Sequence, residues 1–108
     1  MSILIGENGF GYPDALEPNE TIQDGYRIDY HRQQHRGHGR AAAEGCNVVS
    51  YLTWSGIDVI SASINEMTKR YGFVYVDLDD TGNGSGRRIP KDSYDWYRTV
   101  VASNGARL

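Results

Sequence analysis

The apolar positions along the chain predict an alternation of strands and helices. Residues 3–5 are continuously apolar, which is typical of a parallel strand buried on both faces, and residues 48–53 form a second strand. Helical spacing covers residues 25–44 and ends at Gly45, and a second helical pattern covers residues 90–104. The order strand, helix, strand, helix predicts a βαβα unit with parallel pairing and a right-handed crossover.

The segments between these elements are less regular. Residues 8–24 form a predicted loop rich in Gly, Pro and acids, at a length where loops are usually functional or disordered. Residues 71–77 alternate like a strand or a hairpin arm. Gly37 and Gly39 lie inside the first helical pattern, and each costs roughly 1 kcal/mol relative to Ala. We therefore expect a weak or broken middle in that helix.

Length and composition exclude several classes of protein. The 108 residues suffice for one small domain, whereas a complete (β/α) barrel needs roughly 250. A net charge of -3 argues against a nucleic-acid partner, and no apolar run approaches the ~20 residues that cross a membrane. Cys46 is the only cysteine, so an internal disulfide is impossible. We expect a cytoplasmic protein.

Glu7 is the first candidate catalytic residue. It stands with Asn8 and Gly9 directly after the first apolar run, at the carboxyl end of the predicted strand. Barrel enzymes carry their catalytic groups at that end of their strands. Asn-Gly is also the commonest plain turn signal, so the tripeptide alone leaves both interpretations open.

Two patterns resemble metal sites but lack the required ligands. His31, His35 and His38 share one face of the first helix, together with arginines whose charge disfavours a cation. A solvated helix face is the better interpretation of this stripe. A calcium-like loop begins at Asp77, but Arg88 stands where a bidentate Glu is needed. We expect no metal and no cofactor.

Several segments resemble the C-terminal quarter of family 1 glycoside hydrolases, in the family's order. They are Glu7-Asn8-Gly9-Phe10-Gly11, Asp24-Gly25-Tyr26-Arg27-Ile28-Asp29-Tyr30 and Tyr51-Leu52-Thr53-Trp54-Ser55-Gly56-Ile57-Asp58. Ser61-Ala62-Ser63, Glu66-Met67, Lys69-Arg70-Tyr71-Gly72-Phe73 and Tyr75-Val76-Asp77 resemble the bacterial 6-phospho-β-glucosidase branch. The resemblance implies an α/β fold, a partial (β/α)8 (TIM) barrel of about the last two βα units. Residues 1–108 would then be a single domain or a fragment, the C-terminal part of such a barrel.

The resemblance implies retaining hydrolysis of 6-phospho-β-D-glucosides. Glu7 matches the catalytic nucleophile, which attacks the anomeric carbon while a second carboxyl serves as acid and base. Trp54 matches the aromatic residue that shapes the sugar subsite. The family's acid/base Glu lies far upstream, and nothing in this chain matches it. We expect the isolated chain to be inactive.

The same resemblance implies a binding loop for the 6-phosphate of the sugar. Ser63, Lys69 and Tyr71 match the phosphate ligands, and Ser61 is the alternative serine. An ammonium neutralises a phosphate dianion, and hydroxyl groups donate hydrogen bonds to its oxygens. Ala62 indicates the gluco rather than the galacto series.

The chain departs from the family's pattern at two positions close to the candidate site residues. Gly6 precedes Glu7 where the family prefers an aliphatic residue, Ser or Thr, and Asn65 replaces a glycine. Besides a phosphorylated β-glucoside, the candidate partners are the missing barrel segment and a second copy of the chain. The alternatives to hydrolysis are a non-catalytic sugar-phosphate-binding module and a self-associating α/β module.

Overall fold

A computed structural model describes residues 1–108 and contains six regular elements. In chain order they are β1 Ser2–Asn8, α1 Gly25–Ala43, β2 Asn47–Thr53, β3 Val74–Val76, β4 Arg88–Pro90 and α2 Asp92–Ala102. The strands β1 and β2 pair in parallel across α1, and β3 and β4 form an antiparallel pair. The predicted α/β class and the parallel pairing are confirmed. No helix is both long and apolar enough to cross a bilayer.

The register of β1 against β2 contains two irregularities that cancel. Ile3 pairs with Val48 but Leu4 pairs with Ser50, so β2 has one extra residue there. Farther along, Ile5 pairs with Tyr51 and Asn8 with Thr53, so β1 has the extra residue. The second irregularity is a bulge at Gly6 and Glu7, and such bulges turn side chains out of the regular alternation.

The helix α1 is continuous, so the expected break at Gly37 and Gly39 is wrong. Its packing against β2 and α2 explains this, because tertiary contacts outweigh modest losses of helix propensity. The helix ends as predicted: Gly45 has a φ of +96°, and its N–H donates to the Ala42 carbonyl. Gly45 thus takes the left-handed conformation of a helix stop.

The helix α2 begins two residues later than predicted because Pro90 belongs to a strand. Lys91 has an extended backbone (φ -89°, ψ 168°) and precedes the first helical residue, Asp92. Pro90, the first residue of the predicted helix, pairs with β3 together with Arg88 and Ile89. The predicted Gly stop is again present, since Gly105 has a φ of +79°.

The sheet of β1 and β2 is open to solvent, contrary to the expectation of a buried strand. Leu4 is 59% exposed on β1, and Val49 and Leu52 are 57% and 50% exposed on β2. A two-stranded sheet has no neighbouring strands to cover these side chains. The apolar sequence of β1 therefore encodes burial that these 108 residues do not supply.

Much of the buried interior is ionic. Six side chains, which we call the ionic cluster, are 8% exposed or less: Asp14, Asp24, Arg27, Asp58, Arg70 and Lys91. Their ion pairs span 2.5–3.1 Å and link the loop before α1, α1 itself, the loop after β2 and the start of α2. Three carboxylates balance three cations, so no buried charge is left uncompensated.

Candidate active site

The carboxyl ends of β1 and β2 meet at one edge of the parallel sheet. The Trp54 N–H donates to the Asn8 carbonyl at 2.7 Å. A Cβ on Gly9 would lie 1.9 Å from the Trp54 carbonyl oxygen, so only glycine allows this approach. Glu7 lies on β1 one residue before this contact and Trp54 directly after β2, and both of these predicted site residues are exposed.

Lys69 and Tyr71 lie beside the loop that follows Glu7. A Cβ on Gly11 would fall 2.6 Å from Tyr71 Cζ and 3.0 Å from Lys69 Cε. The Lys69 ammonium nitrogen is 5.5 Å from the centre of the Tyr71 ring. The structure thus brings these two predicted phosphate ligands together, next to the loop that continues from Glu7.

The two candidate serines form a separate pair. Their hydroxyl oxygens are 3.1 Å apart, Ser61 is 3% exposed, and Ser63 is exposed. No hydrogen bond joins either serine to Lys69 or Tyr71. Asn65 has a φ of +56°, the left-handed conformation that Asn adopts more readily than most residues, and its N–H donates to the Ser61 carbonyl at 2.8 Å.

Arg70, which sequence reasoning did not single out, fixes the segment that carries Lys69 and Tyr71. Its guanidinium contacts Asp58 at 3.1 Å and donates to the carbonyls of Val76 (2.7 Å) and Leu78 (2.9 Å). Arg70 is buried, whereas Lys69 and Tyr71 are partly exposed and lie beside Gly11. The only sequence signal for this role was the position of Arg70 between two site residues.

His31 and Tyr51 were also missed. His31 is completely buried, so its assignment to a solvated helix face is wrong. Its Nδ1 lies 2.9 Å from the Tyr51 hydroxyl, which donates to Asn8 Oδ1 at 2.9 Å. These contacts connect α1 through β2 to Asn8, the residue after Glu7. Local sequence patterns cannot predict them, because the residues are far apart in the sequence.

Burial controls the ionisation of this pair. It lowers the pKa of His31 from 6.5 to about 4, with smaller contributions from His35 and Arg27. Burial also raises the pKa of Tyr51 above its ordinary value, assisted by Tyr97 and Tyr30. At neutral pH, His31 is therefore an uncharged imidazole and Tyr51 a protonated phenol.

His35 and His38, two of the three histidines on α1, pack against an aromatic ring. The structure contains no group of three or more His, Cys, Asp or Glu side chains with a geometry suited to a metal ion. The rings of His35 and His38 instead pack on the Tyr51 ring, at centroid distances of 4.6 and 4.7 Å.

Comparisons with known proteins agree on one family. The model of glycosyl hydrolase family 1 matches residues 1–106. The 6-phospho-beta-glucosidase AscB of Escherichia coli (strain K12) is 49% identical over 106 residues, which cover 98% of this chain and 22% of that protein. The aryl-phospho-beta-D-glucosidase BglH of Bacillus subtilis (strain 168) is 48% identical over 106 residues, 98% of this chain and 23% of that protein.

A solved structure gives the same result. The family 1 β-glucosidase from Thermotoga maritima superposes with a TM-score of 0.85 at 33% identity, covering 99% of this chain and 23% of that one. The chain thus spans less than a quarter of the length of each of these three proteins.

Proposed function

Since the chain belongs to glycosyl hydrolase family 1, we propose that it is the nucleophile-bearing part of a retaining 6-phospho-β-D-glucosidase. It would supply about the last two βα units of a (β/α)8 barrel. One observation carries the proposal: Glu7 is exposed at the carboxyl end of a parallel strand, and the next residue, Asn8, accepts the Trp54 N–H. Barrel enzymes place their catalytic groups at that end of their strands.

The chemistry assigned to Glu7 is nucleophilic. Its carboxylate attacks the anomeric carbon and forms a glycosyl–enzyme ester, which water then hydrolyses with overall retention. The reaction also needs a carboxyl ~5–5.5 Å away as acid and base, and we assign that role to a Glu in the upstream part of the barrel. The flat face of Trp54 would bind the C–H face of the sugar.

The phosphate of the substrate would be bound by Lys69, Tyr71 and one serine. The ammonium neutralises the dianion, and the hydroxyl groups donate hydrogen bonds to its oxygens. Ser63 is the better candidate because it is exposed, whereas Ser61 is buried and already bonded to Ser63. The phosphate-specific names of the two curated relatives support a phosphorylated substrate.

The partner of the open sheet is, in this proposal, the remainder of the barrel. The β1–β2 sheet has one unpaired edge on each strand and exposes Leu4, Val49 and Leu52. Most of the length of the relatives lies outside the matched segment, enough to provide the neighbouring strands. We also propose a cytoplasmic location, because Cys46 is the only cysteine.

A chimaera tests the proposal. Residues 1–106 of this chain would replace the matching segment of the E. coli relative, and hydrolysis of a chromogenic 6-phospho-β-D-glucoside would be measured. We expect hydrolysis, and a loss of about a thousandfold or more in kcat for Glu7→Gln, since the nucleophile is removed.

Glu17→Gln is the matched control. Glu17 is an exposed carboxylate in the loop after β1, with no side-chain hydrogen bond or ion pair, so this variant should keep the activity of the parent chimaera. A Glu7→Gln chimaera as active as its parent would refute the proposed role. Sedimentation of the chain alone tests whether a second copy of the chain covers the sheet instead. If the chain forms a stable dimer and the upstream barrel segment does not bind to it, self-association would be favoured.

A further inference from the structure

Asn8, the residue after Glu7, is fixed by both its backbone and its side chain. Its carbonyl accepts the Trp54 N–H at 2.7 Å, and its side-chain oxygen accepts the Tyr51 hydroxyl at 2.9 Å. Gly9 then passes directly over the Trp54 carbonyl. The carboxyl side of Glu7 is therefore tied to β2 at consecutive positions.

The amino side of Glu7 is tied less regularly. Ladder pairing is interrupted between Ile5 and Asn8, so Gly6 and Glu7 have no regular partners on β2. The Glu7 carboxylate itself forms no hydrogen bond or ion pair. The direction of the Glu7 carboxylate therefore depends on where regular pairing with β2 resumes, and it resumes at Asn8.

The hydrogen atoms of this chain of contacts can be assigned from the donors available. A phenol has one proton, which Tyr51 gives to the acceptor Asn8 Oδ1. The 2.9 Å contact with His31 then requires a proton on His31 Nδ1, donated to the Tyr51 oxygen. The other nitrogen, Nε2, is buried without a partner.

We propose that Tyr51 is a positioning residue for Glu7, and that His31 orients Tyr51 for this task. The proposal rests on the proposed role of Glu7 as nucleophile. The Tyr51 hydroxyl fixes the Asn8 side chain, which fixes the end of the bulge and so the direction of the carboxylate. Misplacement of a reacting group by about 1 Å can cost a hundredfold in rate, so the loss of the Tyr51 hydroxyl alone can lower the rate of hydrolysis.

The hydroxyl can be removed without removing the ring. The Tyr51 ring packs on His35 and His38 with centroid distances of 4.6 and 4.7 Å, contacts that Tyr51→Phe retains. Tyr94→Phe is the matched control, because the Tyr94 hydroxyl lies on the exposed side of α2 and forms no hydrogen bond. The two variants lose the same atom in different places.

Nuclear magnetic resonance of the chain gives the first readout. In Tyr51→Phe we expect the side-chain amide resonances of Asn8 and the carboxyl carbon resonance of Glu7 to move, and in Tyr94→Phe neither should. Circular dichroism checks that the helical content of both variants equals that of the parent. Unchanged Asn8 and Glu7 resonances in a folded Tyr51→Phe variant would overturn the proposal.

Kinetics of the chimaera give the second readout, which applies even if the isolated variant does not fold. Tyr51→Phe should lower kcat by about tenfold or more at a KM within about twofold of the parent. The reason is that the variant disturbs the orientation of the Glu7 carboxylate and leaves substrate binding intact. An unchanged kcat in an active chimaera would overturn the positioning role and leave the proposed function intact. A folded but inactive parent chimaera would contradict the proposed function, and the resonance experiment would then decide the positioning role alone.

Discussion

At the scale of single residues, Glu7 derives its position from its neighbours. Its carboxylate has no polar partner, while Gly9 makes the closest backbone approach at the site, against the Trp54 carbonyl. The resemblance predicted Glu7 and Trp54 as site residues, and their closeness follows from the parallel ends of β1 and β2. The bonds from His31 to Tyr51 and from Tyr51 to Asn8 could not be predicted, because they join residues 20 and 43 positions apart.

Two glycine substitutions distinguish a steric requirement for glycine from its low helix propensity. In Gly9→Ala the new Cβ would lie 1.9 Å from the Trp54 oxygen, so the two turns must part. We expect the free energy of unfolding of the chain in urea to fall by about 2 kcal/mol or more, as steric overpacking does. Gly39→Ala is the control: its Cβ would meet nothing within 4 Å in the middle of α1. It should raise that free energy by up to about 1 kcal/mol. Equal stabilities of Gly9→Ala and the parent would contradict the close approach.

At the scale of elements, the ionic cluster connects the two helices and the loops around them, which the two-stranded sheet does not connect. Asp24 pairs with Arg27 on α1 at 2.5 Å and accepts the backbone N–H of Ser93 on α2 at 2.8 Å. It thus ties together the amino ends of both helices. Sequence periodicity predicted both helices, because their apolar stripes and glycine stops are local signals. It did not predict that charged residues would form the contact between them.

Helix α1 carries two ion pairs with the same i,i+3 spacing, one buried and one exposed. Arg27–Asp24 and Arg32–Asp29 are both i,i+3 pairs at 2.5 Å, but the first is fully buried and Asp29 is 67% exposed. Asp24→Asn should lower the free energy of unfolding by about 3 kcal/mol, because it leaves the three buried cations of the ionic cluster with only two carboxylates, Asp14 and Asp58. Asp29→Asn should change it by less than about 1 kcal/mol. Similar losses in both variants, measured by urea unfolding, would show that the cluster does not stabilise the fold.

The packing of α1 on β2 should weaken in acid. The pKa of His31 is about 4 in the folded chain and near 6.5 when unfolded, so the unfolded state binds the proton more tightly. The contribution is complete above pH 6.5 and is lost as the pH falls towards 4. The pKa of His35 is also lowered by burial, and by His38, so it acts in the same direction.

The titratable groups that face His31 are Arg27, Tyr30 and His35 on α1, Tyr51 on β2 and Tyr97 on α2. None of them is an acid that would stabilise a charged imidazole. Between pH 7 and pH 4.5 we expect His31 alone to remove about 2 kcal/mol of stability. In His31→Leu, urea unfolding at the two pH values should show a correspondingly smaller loss. A loss as large as that of the parent would exclude His31 as its source.

Predictions for the smaller elements were less successful for physical reasons. Pro90 is typical of a first helical turn, yet it ends the three-residue strand β4, which is too short for periodicity to detect. His31 lies on a helix with many charged residues and was placed in solvent, whereas it is buried beside the aromatic rings of Tyr51 and Tyr97. In both cases a long-range contact overrides the local preference of the residue.

At the scale of the whole molecule, the chain has the sequence of a buried sheet without the neighbours that bury it. Leu4 was expected in a buried strand and lies exposed on the β1–β2 sheet, together with Val49 and Leu52. The parallel strand order followed from the sequence, because the βαβ pattern has few alternatives. The extent of burial did not, because it depends on chain that these 108 residues do not contain.

The most direct measurement locates the covalent intermediate in the chimaera. A slowly hydrolysed 6-phospho-β-glucoside would be used to accumulate the glycosyl–enzyme ester, and peptide mass spectrometry would identify the modified residue. We expect one sugar phosphate per chain on the peptide that contains Glu7, and none in Glu7→Gln. An adduct on a different carboxylate, or turnover that persists in Glu7→Gln, would contradict the assignment of Glu7 as the nucleophile.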